Sequence, residues 1–204
     1  MKKIMFNDRF GLTEAVLSGR KTQTRRIVPK SIFQSEHDVD EDKRKIWIED
    51  RYGDWHDVRK SKYCFKVGEV VAIAQSYKDC GYGECAPIVS LDENGIATFG
   101  SDAGSYNKMF VKADLMPHHI RITNVRVEQL QDISDEDCIK EGVIESVVMG
   151  TNGSLSEYFV EGPKHICYGK TSREAYAVLT DRISGKGTWS TNPYVFVYDF
   201  ELVD

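Results

Sequence analysis

The run His119-Ile-Arg-Ile-Thr-Asn-Val-Arg-Val-Glu-Gln-Leu130 constrains the fold more than any other part of the chain. Ile120 and Ile122, then Val125 and Val127, recur at period two, the spacing of side chains on one face of a strand. The phase slips at Thr123-Asn124, as it does at a bulge or bend. Further β-type runs lie at Val70–Ala74, at Asn192–Val203 and over about residues 22–28, where Pro29 stops the strand. Helix signals are short. Asn7 or Asp8 caps a segment with Phe10, Leu12, Ala15 and Val16 on one stripe, ended by Gly19. Ser134 and Asp137 open a second helix that ends at Gly142, and Thr171 and Glu174 open a third that ends at Gly185. Strands and helices do not alternate as in parallel α/β sheets. The pattern predicts a mixed, β-rich α+β fold: a small mixed or antiparallel β-barrel with short helices at its ends.

With 204 residues the chain fits one domain, 1–204, carrying insertions at about 31–62, 78–108 and 144–170. The first insertion is charged without period before a short hairpin around Tyr52-Gly53-Asp54, and the second is a loop-rich stretch with a hairpin signal at Asp92-Glu93-Asn94-Gly95. Nothing approaches the eighteen or so apolar residues of a membrane span, and the amino terminus lacks an apolar core for a signal peptide. The expected location is the cytoplasm, with no membrane partner.

An odd count of five cysteines makes a poor disulfide framework. Cys80 and Cys85, even with His118 and His119 or His165 and Cys167, have neither zinc-knuckle spacing nor a matching second half, so no metal or cofactor is expected. Gly169-Lys170-Thr171 only imitates a phosphate loop, because the glycine required five positions earlier is Lys164. Asn152-Gly153-Ser154 reads as a turn, and Trp189 reads as a core plug more readily than as a base-stacking platform. The formal net charge of −5 argues against a wide basic face, so any grip on a nucleic acid must be local.

One local concentration of cations exists. The stretch "LSGRKTQTRRIV", residues 17–28, holds Arg20, Lys21, Arg25 and Arg26 where the first helix turns into a strand. By residue type it reads as a solvated basic edge strand. Against that, no acidic residue lies between Glu14 and Glu36, which marks an uncompensated positive spot suited to phosphate or a polar ring. Lys21 and Thr24, three apart across the corner, could also converge, and a buried neutral lysine beside a hydroxyl is an alternative to histidine beside serine.

"GRKTQTRR", "KVGEVV", "IRITNVRVEQLQDISDEDCIKEGV" and "NPYVFVYDFELV" together resemble the ASCH superfamily, closest to its larger phage- and prophage-encoded proteins. The matching blocks cover roughly half the chain. The resemblance implies a PUA-like barrel and RNA or modified nucleosides as partners. Small bacterial members deacetylate N4-acetylcytidine, and the motif carries over as catalytic Lys21, Thr24 and Glu141. In that reading Lys21 deprotonates Thr24, which attacks the acetyl carbonyl, while Glu141 orients Lys21 or shuttles the proton; alternatively Glu141 is the base for water. Arg20 or Arg25 would serve the oxyanion. Where larger relatives carry Arg-Glu-Thr-Trp, this chain has Ala74, Gln75, Ser76 and Tyr77. Gln75 would then read a base edge and Tyr77 would stack on it. The alternatives are a non-catalytic RNA- or nucleotide-binding module, and an accessory protein that binds a host protein through residues 78–108.

Overall fold

The computed structural model describes residues 1–34, 37–39, 45–49, 52–83, 86–91, 93, 95–150, 153–163 and 165–203. In order, the elements are β1 (Lys3–Ile4), α1 (Leu12–Leu17), β2 (Gln23–Ile27), β3 (His37–Val39), β4 (Ile46–Glu49), β5 (Trp55–Asp57), β6 (Val70–Ile73), β7 (Ile88–Leu91), β8 (Ala97–Phe99), β9 (His119–Gln129), α2 (Asp135–Lys140), β10 (Ile144–Gly150), β11 (Gly153–Glu161), β12 (Ile166–Gly169), α3 (Ser172–Ser184), α4 (Thr188–Thr191) and β13 (Tyr194–Leu202), with short 3-10 turns between them. The fold is mixed α+β and mostly sheet. The strand orders close no barrel among the described residues. No helix among them is long and apolar enough to cross a membrane.

The chain divides into two compact units. The first comprises Met1–Phe6, Val70–Arg121 and the residues from Leu202 onward. In it, β1 pairs in parallel with β6, and β6 pairs antiparallel with the start of β9, Val70 opposite Arg121. Residues 78–108 contribute to the core of this unit: Cys80 and Ala86 pack against the buried cluster of Ala72, Ala74, Tyr77, Val111 and Met116. The β7–β8 hairpin forms here; Asp92 and Asn94 of its expected turn lie outside the described residues.

The second unit comprises Asn7–Glu69 and Ile122–Glu201. The rest of β9, β13 and β2 lie side by side in it, with β13 and β2 antiparallel from Val195 opposite Ile27 to Asp199 opposite Gln23. Burial along β9 changes phase at Thr123 and Asn124, where the hydrophobic pattern slips: Ile120 and Ile122 are buried before it, Val125 and Val127 after it. The even-numbered side chains Arg126 and Glu128 are thereby left to a different neighbour, described below. β3–β4–β5 and β10–β11–β12 are separate antiparallel sheets, and α3 packs on the latter. The described residues of the insertion expected at about 144–170 thus supply a regular sheet of their own. Gly11 and Gly162 permit a backbone contact, since a Cβ on Gly11 would lie 2.5 Å from the Glu161 carbonyl oxygen.

Both predicted N-caps form, while Glu174 Oε2 accepts from the Lys170 N–H at 2.7 Å rather than from that of Thr171. Ser134 Oγ accepts from the Asp137 N–H at 3.1 Å, and Thr171 Oγ1 accepts from the Glu174 N–H at 3.2 Å. The helix α4 is not foreseen, nor is β1, a two-residue strand that no period can reveal. Trp189, on α4, is half-buried and meets Tyr176 edge-on with ring centres 6.2 Å apart.

Candidate functional site

The helix-to-strand corner is tied to the end of α2. Lys21 N–H donates to the Ala15 carbonyl at 2.8 Å, and Thr22 N–H donates to the Lys140 carbonyl at 2.9 Å. Glu141 caps α2 at its C-terminus, and Gly142 follows at φ 103°, a conformation that costs other residues strain. These connections bring the Lys21 side chain against Glu141. Lys21 is 2% exposed and Glu141 3%. Lys21 Nζ donates to the Gln23 carbonyl at 2.7 Å, to the Glu141 carbonyl at 2.8 Å and to Glu141 Oε2. An ammonium has three N–H donors, and these are three acceptors. A carboxylate at a helix C-terminus opposes the dipole, and the lysine offsets it there.

Gln23 and Arg25, alternate residues of β2, face α2 and the even side of β9. Arg25 makes five hydrogen bonds with its five N–H donors: Nε and Nη2 to Glu128 Oε1 at 3.0 and 2.7 Å, Nη2 to Asp137 Oδ2 at 3.0 Å, Nη1 to Glu141 Oε1 at 3.2 Å, and Nη1 to Gln23 Oε1 at 2.5 Å. Gln23 Nε2 uses both its hydrogens, to Asp137 Oδ1 at 3.2 Å and Asp199 Oδ1 at 2.6 Å. Arg126 extends the network outward, bonding Asp137, Glu128 at 3.1 Å and Asp199 at 3.1 Å. The positive spot inferred from the gap between Glu14 and Glu36 is thus compensated in space. Glu128, Asp137, Glu141 and Asp199 come from distant parts of the chain to surround it, and the solvated edge-strand expectation fails at Lys21 and Arg25, both buried.

Burial lowers the pKa of Lys21, Glu141 opposes that lowering, and Arg26 and Arg25 reinforce it. For Arg25 burial also works against the cation, but Glu141, Tyr176 and Glu128 outweigh it and raise the pKa. Burial would raise Asp137, yet Arg126, Arg25 and Gln23 hold it below the usual carboxylate range. The phenol of Tyr176 lies well above its ordinary value, through burial first and then Glu141.

The remaining candidates are placed differently. Thr24 is buried, but strand alternation turns it to the face opposite Gln23 and Arg25, and its hydroxyl makes no hydrogen bond with Lys21. The expected Lys21–Thr24 contact is therefore absent. Arg20 is exposed, outside the network. Arg25 has no N–H left for an oxyanion, which corrects that assignment. Tyr77 is 1% exposed in the core of the first unit, where its ring lies against Gly100 and Gly104; no face remains for stacking, and that expectation is also corrected. Gln75 is buried in the same unit with Oε1 unpaired. Among the described residues no group of three or more potential ligands could hold a metal. Cys85 lies outside them, and burial followed by Asp79 pushes the Cys80 thiol up to about 11.

Gln23, Arg126, Glu128, Asp137 and Asp199 are the members of this cluster that sequence reasoning missed. Asp199 had a signal, a lone acid inside the apolar run of the last strand, as did the alternation of Arg126 and Glu128. Comparison of the chain with protein-family models, curated proteins and solved structures finds no match.

Proposed function

We propose that this chain is a nucleoside-directed protein of the ASCH type that hydrolyses the exocyclic amide of an N4-acylated cytidine, with Lys21 and Glu141 as its proton-transfer pair. The observation that carries the reading is the buried contact between Lys21 Nζ and Glu141 Oε2, in which burial lowers the lysine pKa. While Lys21 is an ammonium with three acceptors, it has no lone pair to offer. The proton-accepting atom is then Glu141 Oε2. In the proposed reaction Glu141 takes a proton from the nucleophile, water or the Thr24 hydroxyl, as oxygen adds to the acyl carbon. Lys21 returns a proton to the departing N4 as the carbon–nitrogen bond breaks, giving cytidine and, with water as nucleophile, the free acid; with Thr24 as nucleophile the product is a threonine ester that a water then hydrolyses. Thr24 lacks a bond to Lys21, which favours water. A PUA-like barrel and a cytoplasmic location belong to the same proposal.

A second reading, a nucleoside- or RNA-binding module without chemistry, is favoured by one observation: the network satisfies its own donors at both Lys21 and Arg25. Incubation with N4-acetylcytidine followed by chromatography separates the two. Cytidine release that Lys21→Ala abolishes supports the hydrolase. A nucleoside-induced rise in melting temperature without any release supports the module.

A further inference from the structure

We infer that Arg25 is a positioning residue: clamped by Gln23, Glu128 and Asp137, it holds Glu141 by one carboxylate oxygen so that the other is presented to Lys21. The inference deepens the proposed function and rests on it for its catalytic meaning, although the clamp itself is a matter of geometry. All five guanidinium donors are engaged, and the three groups that fix Arg25 from outside the pair come from β2, β9 and α2. Arg25 Nη1 reaches Glu141 Oε1 at 3.2 Å, while Lys21 Nζ takes Oε2. A planar fork imposes direction as well as charge, which a lysine ammonium does not.

The clamp has an electrostatic consequence for Lys21. The charged groups facing Lys21 are Glu141 from the end of α2 and Arg25 and Arg26 from β2. Those facing Arg25 are Glu128 of β9, Asp137 and Glu141 of α2, and the phenol of Tyr176 on α3. Arg25 repels a proton on Lys21, and it also shields Glu128 and Asp137, whose charge would otherwise favour that proton. Removing Arg25 lifts that repulsion but also releases Glu141, which favours the proton, so a substitution that keeps the charge and loses the fork isolates the positioning role.

The experiment is an NMR titration of lysine side-chain 13Cε signals in the full chain, with the Lys21 signal assigned from Lys21→Arg. Arg25→Met, which loses both the fork and the charge, is expected to leave the Lys21 midpoint above that of Arg25→Lys. Arg25→Lys, which keeps the charge and loses the fork that holds Glu141, is expected to lower the Lys21 midpoint, because Glu141 is the group that favours the lysine proton. Arg20→Met, a change of an exposed cation beside Lys21 in sequence, is expected to leave it in place. A midpoint that Arg25→Lys leaves in place or raises would overturn the inference, as would a shift in Arg20→Met equal to that in Arg25→Lys. If Arg25→Met does not fold, Arg25→Lys decides alone. The readout does not depend on turnover, so a chain that hydrolyses nothing would sink the proposed reaction and leave this test standing.

Discussion

Glu141→Gln tests the buried pair through stability. Removing one partner of a buried ion pair strands the other charge, at a cost of about 3–5 kcal/mol. Two of the three acceptors of Lys21 are backbone carbonyls, which the substitution leaves in place. Arg25 keeps its bonds to Gln23, Glu128 and Asp137. The expected loss is therefore at the low end, about 3 kcal/mol at neutral pH. For a chain of this size that corresponds to a fall of roughly 6–12 °C in Tm. The cost also depends on pH, with a definite sign. Glu141 opposes the lowering of Lys21 by burial, so in its absence the folded pKa lies further below the unfolded value of about 10.4. Below the folded pKa both states hold the proton and the full cost appears. As pH rises from there toward the unfolded value, the buried lysine sheds its proton and the variant regains stability relative to the parent. Urea unfolding at pH 7 and again near pH 9.5 measures both quantities. A variant as stable as the parent at pH 7, or a deficit that grows with pH, would refute the reasoning.

Thr24→Val removes a hydroxyl that makes no bond with Lys21; it should change stability by less than about 1 kcal/mol. If turnover also survives in that variant, water is the nucleophile, whereas loss of turnover with an unchanged melting curve assigns the attack to Thr24. Gly142→Ala forces a side chain into φ 103° beside the Lys21 Cβ, so it should cost on the order of 1–3 kcal/mol by thermal unfolding; a neutral effect would mean that the corner relaxes. The Asp137 pKa is depressed in the folded chain, so its contribution is fully present above about pH 4 and is lost as pH falls through the lower folded value. Asp137→Asn should flatten the fall in Tm below pH 4, and an unchanged slope would count against the ion pairs with Arg25 and Arg126.

Local signals and the site were not equally legible. Ser134 and Thr171 announce their helices because a cap needs only residues three apart. Period two along β9 and β13 reports a strand for the same reason. The gap in acids between Glu14 and Glu36 invited the idea of an uncompensated cation cluster, and it misled because compensation is spatial. Glu128, Asp137, Glu141 and Asp199 are more than a hundred residues away in sequence and become neighbours only when β9, α2 and β13 surround β2. Tyr77 looked available to a base because it stands where larger relatives carry tryptophan, and Gly100 and Gly104 are what lets the backbone close over its ring. Lys21 beside Thr24 failed for a simpler reason, since residues flanking a strand's first pleat point to opposite faces.

The central claim, that Lys21 and Glu141 form a working proton-transfer pair, is tested most directly by the rate of cytidine release from N4-acetylcytidine by the parent chain, Lys21→Met and Glu141→Gln, each shown to be folded by circular dichroism. The account predicts release by the parent and a loss of at least about 100-fold in each variant. Release that persists in both folded variants, or no release by the folded parent, would contradict it.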